Sequence, residues 1–198
     1  DVLAGRLIDD LADAEHHTEK GEVVLDPSAV AAVGGRVILE PRDGGEGGRV
    51  FGVVRGLAVP VADAPAAEPS RPLPEEVVRE WLLPAVFERL SAGRGEFLAE
   101  LRPAYPVFLR FGGIDYDDDD DAISKLDDFV RRAQQVMHGY GGNVLQLTLG
   151  DKGAYLYGVF GSPIAHEDDG ARAAAAALDL VALEGPTAAT GIQVGVTH

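Results

Sequence analysis

Apolar and polar positions alternate most clearly in the second half of the chain, on either side of a glycine-aspartate pair. Residues 144–149 (VLQLTL) and 154–160 (AYLYGVF) are β-prone runs, and Gly150 and Asp151 lie between them. Two such runs separated by a few residues that include glycine predict a β-hairpin. The pattern therefore places the Asp151 carboxylate at or beside a tight turn, at the end of a strand.

A helical pattern precedes this hairpin over residues 123–138. Its predicted apolar face consists of Ile123, Leu126, Phe129, Val130, Ala133, Val136 and Met137. A strand is predicted over 106–111, an alanine-rich helix follows the hairpin, and GIQVGVT (191–197) is predicted to be a last strand. The order strand, helix, hairpin, helix, strand is the ferredoxin-like β-α-β-β-α-β plan, which places helices on one face of an antiparallel sheet. The predicted fold class is α+β.

Shorter elements are predicted before residue 60. They are a helix over 7–19 with a weak apolar stripe of Leu7, Leu11 and Ala14, a short strand over 22–25, a brief helix that Asp26-Pro27 starts and Gly34-Gly35 ends, and two strands over 36–40 and 49–54. The loop PRDGGEGG joins the last two strands. It lacks the glycine-lysine pattern of a phosphate-binding loop, so a hairpin connection is the simpler interpretation.

Residues 60–74 contain five prolines and no apolar period. This composition predicts an extended linker. A helix is predicted over 75–90, with an interruption at Pro84. Trp81 within it is expected to be a packing anchor rather than a platform for a ligand.

The charge balance excludes several classes of partner. The chain of 198 residues has a formal net charge of −16 and no cysteine. Nucleic-acid binding requires Lys and Arg against phosphates, and an anionic membrane surface makes the same demand. No apolar run approaches the ~20 residues that span a bilayer. The absence of cysteine is compatible with a reducing compartment, and a cytoplasmic location is expected.

Several motifs occur in a fixed order over residues 139–180. They are Tyr140-Gly141-Gly142, Gly150-Asp151, Phe160-Gly161-Ser162-Pro163, His166-Glu167-Asp168-Asp169 and Arg172-Ala173. In this order and spacing the segment resembles the class III nucleotidyl cyclases, which form cyclic AMP or cyclic GMP from a nucleoside triphosphate. The resemblance implies a ferredoxin-like cyclase homology domain, and it implies Mg²⁺ or Mn²⁺ as the cofactor of the parent protein.

Two further segments resemble the soluble adenylyl cyclases that carry two unequal cyclase domains. Residues 95–108 resemble the beginning of their second domain, and residues 3–27 resemble the end of their first. The resemblance implies that residues 1–58 are the C-terminal part of a first cyclase domain, that 59–95 are a linker and helix, and that 96–198 begin a second domain. We expect a longer parent with fused regulatory or ATPase domains.

Paired domains of this family form two sites at their interface, each with two metal-binding aspartates from one domain and an asparagine and an arginine from the other. On this resemblance the metal positions in this chain are Phe111 and Asp151, and the asparagine and arginine positions are Asp9 and Asp13. A phenyl ring cannot bind Mg²⁺. Two carboxylates facing a triphosphate repel it, by roughly 4 kcal/mol per charge pair at a separation of about 4 Å and an effective dielectric of about 20. The implied site is degenerate, with Asp151 its remaining metal position.

A working site would use residues outside this chain, apart from one nucleotide-binding position. The base-selecting lysine of the family corresponds to Gln146, whose amide can both donate and accept. ATP and GTP therefore both remain possible. The alternative function is a cyclase-like regulatory or ligand-sensing module without catalysis. The related cyclases sense bicarbonate through basic residues, but residues 7–20 contain no arginine and bicarbonate sensing is not expected here.

Two other patterns favour plain structural roles. The run Asp115 to Asp121 matches only the first ligands of a calcium-binding EF-hand loop, because its glycine and glutamate positions are Asp120 and Leu126. A solvated acidic loop before a helix is the favoured interpretation. Adjacent His16 and His17 lack the spacing of paired metal ligands. The segment that starts at His166 is expected to begin a helix, where acidic residues suit the amide dipole.

Overall fold

The computed structural model describes residues 3–44, 48–61, 72–94, 101–150, 153–185 and 187–198. These residues contain six helices and seven strands, joined by turns and loops. Both sheets are antiparallel, and the fold is α+β as predicted. The chain divides into two compact units, residues 1–69 and residues 70–198. None of the helices in these ranges is long and apolar enough to cross a membrane.

The first unit is a three-stranded sheet with two helices. Its elements are α1 (Arg6–His16), β1 (Val24–Leu25), α2 (Pro27–Val33), β2 (Val37–Asp43) and β3 (Val50–Leu57), and its strand order is β1-β3-β2. The predicted start of α2 is confirmed, because the Asp26 carboxylate accepts hydrogen bonds from the amides of Ser28 and Ala29, at 2.9 and 3.1 Å. Gly34 ends the helix in the left-handed conformation that glycine adopts most easily (φ 55°).

The predicted apolar stripe on α1 is wrong except at Ala14, which is buried. Leu7 and Leu11 are exposed. The helix instead directs polar groups at the sheet: the Asp10 and Asp13 carboxylates bind the Arg49 guanidinium at 2.7 and 2.8 Å. These ion pairs involve a residue about 36 positions away in sequence, which periodicity within the helix cannot detect.

An ion-pair network lies across the sheet of the first unit. The Glu22 carboxylate contacts Arg42 at 2.7 Å and Arg55 at 3.2 Å, and Arg55 also contacts Glu40 at 2.7 Å. The hydrogen bond from Arg42 favours the charged carboxylate and holds the pKa of Glu22 below its ordinary value. The network connects the segment before β1 to β2 and β3 through charges that depend on pH.

The second unit contains the remaining elements. They are α3 (Glu75–Glu80), α4 (Pro84–Ser91), β4 (Tyr105–Gly112), α5 (Ala122–Gly139), β5 (Asn143–Gly150), β6 (Gly153–Phe160), α6 (Asp169–Val181) and β7 (Thr190–Val196). The predicted order strand, helix, hairpin, helix, strand is confirmed for β4 to β7, and the strand order in the sheet is β5-β6-β4-β7. Pro84 interrupts the helix before it, as predicted. Trp81, at the end of α3, is exposed, so its prediction as a packing anchor is wrong.

One core lies between the sheet of the second unit and the helices α5 and α6. Its buried members include Val107, Leu109, Phe111, Phe129, Ala133, Ala173 and Ala176. The predicted apolar face of α5 is confirmed at Leu126, Phe129, Ala133 and Met137. The prediction that Ile123 belongs to this face is wrong, because the first buried position of the helix is Ala122 and Ile123 is exposed to solvent. The prediction is displaced by one residue at the helix start, because the residues of a single turn do not determine which of them faces the core.

We predict that the Glu22 network makes the first unit less stable in acid. The folded pKa of Glu22 is lowered, so its contribution to stability is present above about pH 4.5, the ordinary value, and is lost as the pH falls through the folded pKa. Glu22→Gln should destabilise the unit at pH 7, and the difference from the unsubstituted chain should shrink at pH 3.5. Urea unfolding followed by the amide NMR signals of β3 measures this.

The control for that experiment is Glu15→Gln, an exposed change on α1. It should leave the free energy of unfolding within a few tenths of a kcal/mol at either pH. An equal loss for Glu22→Gln at both pH values would contradict the role assigned to its charge.

Candidate functional site

The face of the second sheet opposite α5 and α6 carries the predicted nucleotide-binding residue. Residues directly opposite in neighbouring antiparallel strands share a face. Gln146 of β5 pairs with Tyr157 of β6, which pairs in turn with Phe108 of β4. The rings of Phe108 and Tyr157 lie 4.7 Å apart between centroids, and Phe108 is 54% exposed. Gln146 therefore belongs to an open sheet face with aromatic neighbours.

A second polar side chain orients Gln146 on that face. The Gln146 Nε2 donates to the Thr148 hydroxyl oxygen at 3.0 Å. A hydroxyl accepts from an amide NH₂ and donates to an amide oxygen equally well, so this bond fixes where the amide lies but not which atom faces outward. The geometry leaves a choice between adenine and guanine open, as the sequence does.

Phe111 lies on the other face of the sheet. Its side chain is 3% exposed, and its ring packs against that of Phe129 at 4.3 Å between centroids. Because strand residues alternate between faces, Phe111 points into the core and Gln146 points away from it. The structure does not bring these two predicted site residues together. The phenyl ring at this position has a packing role.

Arg110, the residue before Phe111 on β4, lies on the open face, and no role was predicted for it from the sequence. It pairs across the ladder with Tyr155. A β-carbon placed on Gly153 would lie 3.5 Å from the Arg110 Nε, so the guanidinium lies beside the end of the β5–β6 hairpin. Strand alternation from the buried Leu109 and Phe111 was the signal that could have found it. Asp151, the predicted metal ligand, lies outside the described residues, and its assignment stays a prediction.

The other two predicted positions, Asp9 and Asp13, belong to the first unit. Asp9 is exposed. Asp13 is not an isolated carboxylate, because Arg49 contacts it at 2.8 Å and the His17 ring lies 3.7 Å from it. The Arg49 charge offsets much of the field that Asp13 would otherwise present to a phosphate. The expected repulsion at this helix therefore depends on Asp9 more than on Asp13.

The acidic run before α5 forms turns of its own backbone. The Asp115 carboxylate accepts from the amides of Asp117 and Asp118 at 3.0 and 3.1 Å, and Asp119 accepts from the Asp121 amide at 2.9 Å. Lys125 pairs with Asp119, and this hydrogen bond lowers the Asp119 pKa. Across the described part of the chain, no group of three or more histidine, aspartate or glutamate side chains is arranged to hold a metal ion.

A buried carboxylate anchors the segment that follows β6. Asp169 is 3% exposed, and its two oxygens accept from the His166 backbone amide at 2.7 Å and face the His166 Nδ1 at 3.1 Å. The predicted helix start at this motif is confirmed, because α6 begins at Asp169. Asp168 pairs instead with Arg172 at 2.6 Å, and this hydrogen bond lowers the pKa of Asp168. The first histidine and the last aspartate of the motif thus form one fixed pair.

No protein-family model matches this chain, and no match to it is found among curated proteins. Functional conclusions therefore depend on the residues and on their geometry.

We predict that placing an aspartate at the metal position of β4 destabilises the second unit rather than creating a site. Truncation of a buried phenylalanine alone costs about 3–5 kcal/mol, and Phe111→Asp adds an unpaired carboxylate in the core. The variant should lose at least about 4 kcal/mol of unfolding free energy. Urea unfolding followed by circular dichroism measures the change.

The matched control is Phe108→Asp, three residues earlier on the open face of the same strand. It should cost less than about 1.5 kcal/mol, because its carboxylate stays in water. If Phe111→Asp folded with unchanged stability and bound Mn²⁺, the assignment of this position to the core would be wrong.

Proposed function

We propose that this chain is part of a soluble class III nucleotidyl cyclase that forms cyclic AMP or cyclic GMP and pyrophosphate from a nucleoside triphosphate. In this proposal residues 96–198 begin a ferredoxin-like cyclase homology domain, and residues 1–58 are the C-terminal part of a second such domain. The segment between them, 59–95, is a linker and helix. This chain carries the degenerate one of the two sites.

The strand order of the second unit is the observation that carries the proposal. In β5-β6-β4-β7 the first and third strands of the domain are central, and both helices cover the same face. This arrangement is the one that the motif order implies for a cyclase domain. It leaves the opposite face, with Gln146 and the Phe108–Tyr157 pair, free to meet another domain or a nucleotide.

The reaction transfers one phosphoryl group within the nucleotide. The ribose 3′-oxygen forms a bond to the α-phosphorus, the bond from that phosphorus to the bridging oxygen breaks, the hydroxyl proton leaves to a base or water, and pyrophosphate departs. Mg²⁺ or Mn²⁺ bound in the parent protein would neutralise charge on the phosphates. The described side chains do not fit such an ion, because Phe111 is in the core and Arg110 places a cation beside the hairpin end. No metal-dependent step is assigned to this chain.

Gln146 is the residue of this chain that we assign to the nucleotide. Its amide lies on the open face, held by Thr148 at 3.0 Å. An amide can accept from the adenine amino group or donate to the guanine carbonyl. The proposal therefore covers ATP and GTP.

A second candidate function is a catalytically inactive, cyclase-like module that regulates a partner domain or senses a ligand. The position of Arg110 favours it, since a guanidinium beside the hairpin end suits an anion better than a metal ion. The longer protein distinguishes the two functions. Two aspartates before residue 1 and an Asn-x-x-x-Arg sequence after residue 198 support the enzyme, and their absence supports the module.

We predict that the purified 198-residue chain forms no cyclic nucleotide from ATP or GTP with Mg²⁺ or Mn²⁺. The reason is that its own site lacks a second metal ligand at Phe111 and an arginine at Asp13. Mass spectrometry of the products measures turnover, with the parent protein assayed in parallel. Turnover by the short chain would contradict the assignment of the degenerate site, and an inactive parent with both triphosphates would favour the regulatory module.

In an active parent, Gln146→Ala should raise the KM for the preferred nucleotide about 3- to 10-fold and leave kcat nearly unchanged. This is the size expected for one hydrogen bond between neutral groups, made equally in the ground state and in the transition state. Gln135→Ala, an exposed change on α5 and thus away from the open face, is the matched control. Equal effects of the two variants would remove Gln146 from the nucleotide site.

A further inference from the structure

A groove of about 370 Å³ lies in the second unit, at the end of the β5–β6 hairpin that is remote from its turn. It is bounded by the α3–α4 junction, the C-terminal end of α5 and the segment that follows β6. Its apolar walls are formed by Leu83, Pro84, Ala85, Pro163 and Ile164. This volume is in the range of small-molecule sites, which are mostly apolar with a few fixed polar groups.

One of the polar groups in this groove is held by a buried carboxylate. His166 lines the groove, and its Nδ1 lies 3.1 Å from the Asp169 Oδ1. Because a carboxylate only accepts hydrogen bonds, Nδ1 is the donor in this pair. The Nε2 is then the ring nitrogen left for a ligand, and no residue in the described part of the chain bonds to it. A fixed imidazole backed by a buried aspartate is a prepared hydrogen-bonding group.

The groove wall is held in shape by contacts with backbone carbonyls. Arg102 donates to the Pro163 oxygen at 2.9 Å, and Asn143 donates to the Ser162 oxygen at 3.0 Å. These bonds connect the segment after β6 to the start of β5 and to the chain before β4. The wall that carries Ile164 is therefore built before any ligand binds, which lowers the entropy cost of binding.

The charges around this groove differ from those of the chain as a whole. The chain carries a net charge of −16, yet the residues lining the groove include two histidines, His138 and His166, and no acidic side chain. Arg172 also lies near Gly141, since a β-carbon on Gly141 would lie 3.4 Å from its Nη1, but Asp168 pairs with this guanidinium at 2.6 Å and offsets its charge. A ligand with an acidic group is complementary to this lining.

We propose that this groove binds a small monocarboxylic acid with an apolar body, a function separate from nucleotide cyclisation. The hydrocarbon part lies against Pro84 and Ile164, and the carboxyl group hydrogen-bonds to the Nε2 of His166. One proton is shared between the carboxyl oxygen and this nitrogen. His138 is the other imidazole that lines the groove. The site requires neither Gln146 nor a metal ion.

The test compares two probes of the same shape, 1-naphthoate and the neutral 1-naphthamide, titrated into the ¹⁵N-labelled 198-residue chain. We expect saturable shifts of the amide signals of Gly141, Gly142 and Ile164 with the carboxylate. The amide should bind at least about 10-fold more weakly, because it cannot make the charge-assisted bond to the imidazole. Equal affinity of the two probes, or shifts confined to other residues, would overturn the proposal.

Two variants and one control locate the site. His166→Ala removes the hydrogen-bonding nitrogen, and Ile164→Asp puts a like charge on the wall; each should weaken naphthoate binding about 10-fold or more. Ile164 and Ile123 are 58% and 64% exposed, so Ile123→Asp on α5 is the matched control and should bind as the unsubstituted chain does. Unchanged binding by Ile164→Asp would reject the site, and this variant decides the matter if His166→Ala does not fold.

Discussion

The pairing of β4 with β6 on one side and with β7 on the other determines what the rest of the second unit can do. β4 is joined to β6 over seven residue pairs from Tyr105 to Phe111, so its alternation of faces is fixed along its length. Val107, Leu109 and Phe111 are thereby committed to the core, and Phe108 and Arg110 to the open face. A shift of one residue would exchange the two sets and bury a guanidinium. The core and the open face are two results of one register.

This constraint bears on Phe111, the position on β4 where the cyclase resemblance implies a metal ligand. Phe111 has a specific packing environment, in ring contact with Phe129 at 4.3 Å between centroids. The position therefore contributes to stability, and an aspartate there would lose that contribution. Beside it, Arg110 gives the hairpin end a positive charge in an acidic chain. The open face thus combines an exposed aromatic pair, Phe108 and Tyr157, with one guanidinium.

Local patterns in the sequence predicted most of the elements, because local physics governs them. The β5–β6 hairpin, the buried stripe of α5 from Leu126 onward and the helix starts at Asp26 and Asp169 follow from alternation, helical spacing and capping. The failure on α1 has a different cause. Leu7 and Leu11 fit a helical stripe, yet α1 is oriented by ion pairs to Arg49, a residue of another strand. Such long-range contacts are set by the whole fold and have no local signal.

The same division explains what could be predicted of the candidate site. Gln146 and Asp151 were assigned from motif order and stay predictions, whereas the face on which Phe111 lies depends on the register of β4. The groove beside His166 was not predicted at all, since three segments distant in sequence build it. Only the pairing of His166 with Asp169 could have been predicted, because these residues are three positions apart at a helix start. A sequence motif identifies contacts between residues that are close in sequence. It does not show which residues from distant parts of the chain will surround them in the folded protein.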